Sequence, residues 1–79
     1  MTSYNYVVAV TPHNSTNIAG PKRLCDALYV GGTGAVNLVQ YDDTAAVVPA
    51  VPAGSILPIR CLRVNETSTT ATNIVALYL

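Results

Sequence analysis

Aromatic and charged side chains are scarce in this sequence. Its 79 residues include no tryptophan, no phenylalanine, one histidine, four basic residues and four acidic residues. Phosphate binding needs concentrated lysine and arginine, so this balance argues against nucleic acid as a partner. No apolar run approaches the roughly 18–20 residues that a membrane-spanning helix needs, so we expect no membrane partner either.

The scarcity of charge also bears on solubility. Hydrophobic residues make up 51% of the chain and charged residues 10%, whereas soluble domains usually carry about 25% charged residues. A small monomer with so neutral a surface would dissolve poorly. We therefore predict a homo-oligomer in which neighbouring copies cover part of the surface. The first ten residues contain no basic leader, so we expect synthesis in the host cytoplasm.

The chain does contain short apolar stretches rich in β-branched residues and tyrosine, separated by proline, glycine, asparagine and aspartate. This pattern predicts strands and turns, and no stretch has the period of a useful helix. The predicted fold class is all-β: a small antiparallel β-barrel or β-sandwich of about six short strands. We expect one domain over residues 1–79, with a strand and polar loop over 1–21 and the body over 22–79. The predicted strands span residues 4–10, 27–30, 35–41, 45–51, 55–64 and 72–79.

The sequence also predicts the structure of several segments that connect the strands. The glycine-rich residues 31–34 predict a tight hairpin, because glycine allows positive φ angles. Residues 42–44 and 52–54 predict turns, and residues 12–21 predict an irregular polar loop suited to an exposed arm. Pro49 cannot donate to a ladder, so its strand should lie at a sheet edge or contain a bulge.

The longest predicted strand, residues 55–64, is apolar on both faces. Simple alternation gives two sets: Leu57, Ile59 and Cys61, and Ile56, Leu62 and Val64. So small a domain has too little material to cover both faces. We expect one face to form the subunit core and the other to pack on a neighbour. Polar substitutions at Leu57 and Leu62 should then fail differently, one by unfolding and the other by breaking the oligomer.

Groups that could perform catalysis or bind a metal are few. His13 lies in the polar loop and fits a surface histidine, with a pairing to Ser15 or Ser55 as the enzymatic alternative. Asp42 and Asp43 lack the further oxygen ligands of a calcium loop and fit a turn. We therefore predict a protein that is not an enzyme and that uses no cofactor or metal.

The two cysteines, Cys25 and Cys61, are not spaced as metal ligands. Cytoplasmic synthesis favours free thiols that pack as small apolar groups, and a disulfide is the alternative.

Interface candidates come mainly from the tyrosines, because a tyrosine buries a large ring and keeps a hydroxyl for a polar partner. The central strand adds two leucines and an arginine. The predicted interface residues are Tyr4, Tyr6, Tyr29, Leu57, Arg60, Leu62 and Tyr78. A small glycan-binding module that uses tyrosines and the polar loop is an alternative.

Three stretches resemble the small head spike base protein family of gene transfer agents and tailed phages. They are DALYVGGTGAVNL from Asp26, VPAGSILPIRCLRV from Val51 and TSTTATNIVALYL from Thr67. The resemblance assigns structural positions to a few residues: Gly31 and Gly54 at turns, Pro58 and Arg60 in the central strand, and Thr70 near the last turn.

This resemblance implies a non-enzymatic virion structural protein. It would form the base of a spike or fibre at capsid vertices, or decorate the head. The implied partners are other copies in a ring, five-fold at a vertex as in a pentamer, the major capsid protein, and a spike or fibre protein. A tail protein or another virion structural protein is the alternative within this class.

Overall fold

Two antiparallel sheets pack against each other in the computed structural model, which describes residues 3–79. The four-stranded sheet has the order β1-β7-β2-β5, and the three-stranded sheet has the order β4-β3-β6. The sheets do not close into a barrel, so the all-β prediction is confirmed in its sandwich form. Residues 3–79 contain no helix long and apolar enough to cross a membrane. The strands are β1 Tyr6–Ala9, β2 Ala27–Gly32, β3 Gly34–Gln40, β4 Ala45–Val51, β5 Ser55–Leu57, β6 Cys61–Val64 and β7 Thr72–Tyr78.

The core lies between the sheets and takes every second residue of each strand. In the four-stranded sheet, the register aligns one inward row across all four strands, formed by Val8, Ala76, Leu28 and Leu57. Leu28 and Ala76 are fully buried, and so are Val36 and Leu38 of the facing sheet. These buried side chains belong to one hydrophobic cluster, against which Val8 and Leu57 also pack.

The predicted long strand over residues 55–64 is wrong, because it is two strands in different sheets. β5 pairs with β2 in the four-stranded sheet, and β6 pairs with β3 in the three-stranded sheet. Pro58 follows β5 directly and has no N–H for a ladder, which explains the break. Leu57 and Leu62 therefore do not lie on opposite faces of one strand, and the expectation built on that arrangement no longer applies.

A bulge in β6 changes its alternation as well. Gln40 pairs with Cys61 and Val39 pairs with Arg63, so Leu62 is an extra residue on the β6 side. Cys61 and Val64 both belong to the core cluster as a result, although simple alternation would place them on opposite faces.

The predicted hairpin at residues 31–34 is also wrong, because β2 and β3 belong to different sheets and the chain crosses between them here. The glycines at residues 31–34 do not adopt positive φ angles; among the glycines, Gly54 does, with φ at 83°. They permit close approach instead. A Cβ at Gly34 would lie 2.6 Å from the carbonyl carbon of Thr70, and one at Gly31 would lie 2.9 Å from the carbonyl oxygen of Asn73.

The other turn predictions are confirmed. Gly54 forms the turn before β5, and Gly54 N–H donates to the Val30 carbonyl at 2.7 Å. Asp42 Oδ1 accepts from Thr44 Oγ1 at 2.6 Å in the turn between β3 and β4. Strand β4 lies at a sheet edge and contains a register shift close to Pro49, so the prediction for that proline is also confirmed.

Candidate interaction surface

The outer face of the four-stranded sheet is apolar over most of its extent, with the exposed Asn73 beside Gly31 as a polar residue at one end. Its side chains alternate with the inward row, so they point away from the core. The register aligns Ala9, Val75, Tyr29 and Ile56 across all four strands. A second row joins Val7, Leu77 and Ala27. We call these seven residues the apolar face.

Several side chains of the apolar face are open to solvent. Val7 is 61% exposed, Ile56 51% and Tyr29 37%. Val75 is half-buried between them, and Leu77 and Ala27 are buried at one end. None of the seven residues has a charged side chain or a side-chain amide. A contiguous apolar surface of this kind is typical of sites that contact another protein, a ligand or a membrane.

The outer face of the three-stranded sheet is more polar. It carries Asn37, which pairs with Val47 of β4, and Arg63, which pairs with Val39. The Nη1 atom of Arg63 donates to Asn17 Oδ1 at 3.1 Å, and its Nε donates to Asn65 Oδ1 at 3.1 Å. Asn37 Nδ2 donates to the Thr67 carbonyl at 2.9 Å, whereas Asn37 Oδ1 is buried without a partner. The chain's own polar groups therefore bond Arg63 and one side of the Asn37 amide.

The polar loop over residues 12–21 is irregular, as predicted, and it runs beside the edge of β6. His13 N–H donates to the Val64 carbonyl at 2.9 Å, and Ile18 N–H donates to the Leu62 carbonyl at 3.0 Å. Asn14 exchanges two hydrogen bonds with Thr67, both at 3.1 Å. The loop is thus tied to the body and covers a strand edge that would otherwise be open to pairing with another chain.

His13 has a local structural role in this loop. Its Nδ1 accepts the backbone N–H of Ser15 and that of Thr16, both at 3.1 Å, and lies 3.3 Å from Ser15 Oγ. The ring is exposed and stabilises a turn through these two backbone bonds. Ser55, the other serine considered as a partner for His13, begins β5 in the four-stranded sheet.

A small ion-pair group lies at the end of the sandwich where β7 finishes and β2 begins. Asp26 Oδ2 accepts from Lys22 Nζ at 2.8 Å and from the Leu79 N–H at 2.8 Å, and Arg60 Nε lies 3.7 Å from Asp26 Oδ1. These contacts, Lys22 first, lower the pKa of the Asp26 carboxyl below its ordinary value. The group holds together the segment before β2, the chain after β7 and the segment before β6.

The seven predicted interface residues occupy different environments. Tyr6, Tyr29 and Arg60 are exposed, Tyr4 and Leu57 are half-buried, and Leu62 and Tyr78 are buried. The ring of Tyr78 packs edge-on against that of Tyr6, with centroids 6.3 Å apart, and burial raises the pKa of the Tyr78 hydroxyl. The structure thus assigns Tyr78 and Leu62 to the interior of the subunit, and Tyr29 alone of the seven belongs to the apolar face.

The interface selection from sequence, which favoured tyrosines, did not include Val7, Ile56 and Val75 of the apolar face. The signal for them was present, because the predicted strands 4–10, 55–64 and 72–79 contain apolar residues at successive positions. Choosing the outward set among those positions requires the pairing of β1, β7, β2 and β5, which connects residues up to about seventy positions apart.

No protein-family model matches the sequence, and no curated protein matches it significantly. Among solved structures, a chain of a capsid of a native gene transfer agent particle, computed with C5 symmetry, is similar to this chain. The two are 32% identical with a TM-score of 0.82, and the match covers 96% of this chain and 84% of that chain. The sequence resemblance to gene transfer agents is confirmed at this level, whereas the head spike base role stays a prediction. With this identity and coverage, the chain belongs to the family of that capsid chain and is a structural protein of the virion.

Proposed function

We propose that this protein is a component of the capsid vertex, where it forms the base of a spike or fibre or decorates the head. It assembles there as a ring of identical subunits, five at a five-fold vertex. The related chain comes from a capsid computed with C5 symmetry, which supports this position. The function is mechanical attachment through interfaces, so it needs neither catalysis nor a cofactor.

The apolar face is the observation that carries the proposal. Full burial of a valine or isoleucine side chain contributes roughly 1.5–3 kcal/mol, so burial of one that is already half-buried contributes about 1 kcal/mol. Val7, Ile56, Tyr29 and Val75 together offer several such contributions in one continuous patch. Hydrophobic burial is the main driving force of protein association, and Val7, Tyr29 and Ile56 are exposed within residues 3–79.

A second copy of this chain is the occupant that we propose for the apolar face. The chain has zero net charge, so copies do not repel one another. The apolar face itself carries no charge to be desolvated on contact, which removes the largest cost of burying a surface.

The further partners that we propose, the major capsid protein and a spike or fibre protein, contact the two ends of the sandwich. One end carries the connections at Thr33, at residues 52–54 and at residues 65–70, in which Glu66 is the one charged residue. The opposite end carries the Asp26 ion pairs and the Asp42 turn. Two chemically different ends suit a protein that joins two different neighbours.

Association of matched variants tests the ring. Ile56→Asp introduces a charge in the apolar face, and Val47→Asp introduces the same charge on β4 of the other sheet, where Val47 is 49% exposed against 51% for Ile56. We expect Ile56→Asp to weaken self-association at least a hundredfold in native mass spectrometry and light scattering, because an unpaired charge would be buried. Val47→Asp should associate like the wild type, and circular dichroism should show both variants folded.

The position on the particle is tested by cryo-electron microscopy of assembled particles, with and without this protein. We expect density for a ring at the vertices that disappears when the protein is absent. A wild-type chain that remains monomeric at about 100 µM, at least tenfold above a weak dissociation constant of about 1–10 µM, would count against the ring. Density on the tail alone would overturn the vertex assignment.

A further inference from the structure

The two cysteines lie in contact where the sheets meet. Cys25 Sγ and Cys61 Sγ are 3.2 Å apart, and Cys25 N–H donates to the Cys61 carbonyl at 3.2 Å. Cys25 precedes β2 of the four-stranded sheet, and Cys61 is the first residue of β6 in the three-stranded sheet. Both thiols are free and buried, as predicted. The fold therefore holds together two thiols that are 36 positions apart in the sequence.

The two thiols are not part of a larger group of metal-binding side chains. Residues 3–79 contain no group of three or more histidine, cysteine, aspartate or glutamate side chains that could hold a metal ion. A hydrophobic side chain of similar size would fill the same space without the sulfur chemistry. The contact thus brings two reactive groups together without a ligand for them to share.

An open cleft lies beside the pair, although neither cysteine lines it. Its walls include Leu24 and Asp26, which flank Cys25, and Arg60, which precedes Cys61, together with Lys22 and Arg23. The cysteines are thus next in sequence to residues of the cleft wall, but they are 1% and 0% exposed, so peroxide would reach them through local opening of the structure. Either thiol can donate the hydrogen bond between the two sulfurs. With Cys61 as the donor, this bond lowers the pKa of Cys25, against burial and the nearby Asp26 carboxylate, which raise it. Cys25 is thus the better nucleophile of the two.

We propose that Cys25 and Cys61 form an oxidation-sensitive dithiol that hydrogen peroxide converts into an intramolecular disulfide, linking the two sheets covalently. The Cys25 thiolate attacks one oxygen of the peroxide, the O–O bond breaks, and hydroxide leaves and takes up the proton released by Cys25. The Cys61 sulfur then attacks the sulfenic acid, an S–S bond forms, and the sulfenic oxygen leaves as water with the proton of Cys61. Two thiols and one peroxide thus give one disulfide and two waters.

The disulfide would stabilise the virion protein once a particle leaves the reducing cytoplasm. It would close a long loop that contains β2 to β5, and such a cross-link restricts the unfolded chain strongly. Folding and assembly would take place with free thiols, and the covalent link would form later in the oxidising surroundings outside the cell.

Intact mass spectrometry tests the proposal on the purified full chain. The reduced protein is treated with a few equivalents of hydrogen peroxide, quenched, unfolded in guanidinium and alkylated with N-ethylmaleimide. We expect untreated protein to carry two labels, and treated protein to carry none and to weigh two hydrogens less than the reduced, unlabelled chain. Dithiothreitol should restore both labels. The oxidised chain should melt about 5 °C or more above the reduced one.

Single-cysteine variants provide the control. Cys25→Ala and Cys61→Ala each leave one buried thiol without a partner. During peroxide treatment, that thiol should lose its reactivity toward N-ethylmaleimide at least tenfold more slowly than the wild-type pair. Peptide mapping of the oxidised wild type, which needs no variant to fold, should yield a linked peptide containing both cysteines. Retention of both labels, addition of oxygen atoms without cross-linking, or disulfide-linked dimers would each overturn the proposal.

Discussion

The outer face of the three-stranded sheet is bonded to the chain's own polar groups, whereas that of the four-stranded sheet is apolar and largely open. On the first, Arg63 donates to Asn17 and Asn65, and the loop over residues 12–21 lies along the neighbouring strand edge. On the second, Val7 and Ile56 are more than half exposed. Both sheets contribute their inner faces to the same core.

This difference separates the part of the surface that the subunit stabilises alone from the part that gains by assembly. A hydrogen bond inside the subunit contributes about 1 kcal/mol whether or not a neighbour is present. An exposed apolar side chain contributes nothing until another surface excludes water from it. The polar face should therefore affect stability, and the apolar face should affect association.

The largest effect should separate the two sides of β2. Leu28 is fully buried in the inward row, and Tyr29 beside it lies on the apolar face. Leu28→Ala should lower the free energy of unfolding by about 2–5 kcal/mol, because it leaves a cavity in the core. Tyr29→Ala should cost about 1 kcal/mol or less in the monomer and instead weaken association. Urea unfolding measures the loss of stability in both variants, and equal losses would show that the two sides of β2 do not differ in this way.

The next effect concerns the crossing between the sheets. Gly34→Ala would place a methyl group against the backbone of Thr70 and Ala71, which cannot rotate away, so we expect a loss of about 1–3 kcal/mol. Gly54→Ala is the matched control. That Cβ meets nothing within 4 Å, and the cost comes from φ at 83°, about 1 kcal/mol. Thermal unfolding measures both losses, and a lower melting temperature for Gly54→Ala than for Gly34→Ala would contradict this ranking.

A third effect tests the polar face directly. Arg63→Ala removes two hydrogen bonds from a charged donor, so we expect a loss of about 1–2 kcal/mol with unchanged self-association. Arg23→Ala provides the control, since exposed Arg23 donates one bond, to the Tyr41 carbonyl at 3.2 Å, and should cost about 0.5 kcal/mol or less. Dissociation of the ring by Arg63→Ala at full stability would place the interface on the polar face and reverse the comparison.

The smallest effect concerns the ion pairs at one end of the sandwich and depends on pH. The folded pKa of Asp26 lies below its unfolded value, so its contribution is complete above about pH 4 and is lost as the pH falls through the folded pKa. Asp26→Asn should cost about 1 kcal/mol at neutral pH, and the difference from the wild type should shrink below about pH 4. Urea midpoints across this range measure it, and a difference independent of pH would exclude the carboxylate as its source.

Local patterns predicted most strands and turns because β-branched stretches and turn residues act over a few positions. The strand over residues 45–51 has the predicted bounds, and that over 72–79 differs by one residue. Local patterns did not predict which strands pair with each other. The crossing at residues 31–34 and the break at Pro58 look locally like a hairpin and a continuous strand, and only contacts between distant segments distinguish them.

The amino-acid sequence determined the all-β class, the position of most turns and the presence of strands that are apolar on both faces, since these follow from residue type and spacing. Tertiary structure decided which apolar side chains form the core and which form the apolar face. It also brought Cys25 against Cys61 and separated Leu57 from Leu62. The physical reason is that strand register is set by the packing of segments far apart in the chain, and one shift of register exchanges the two faces of a strand.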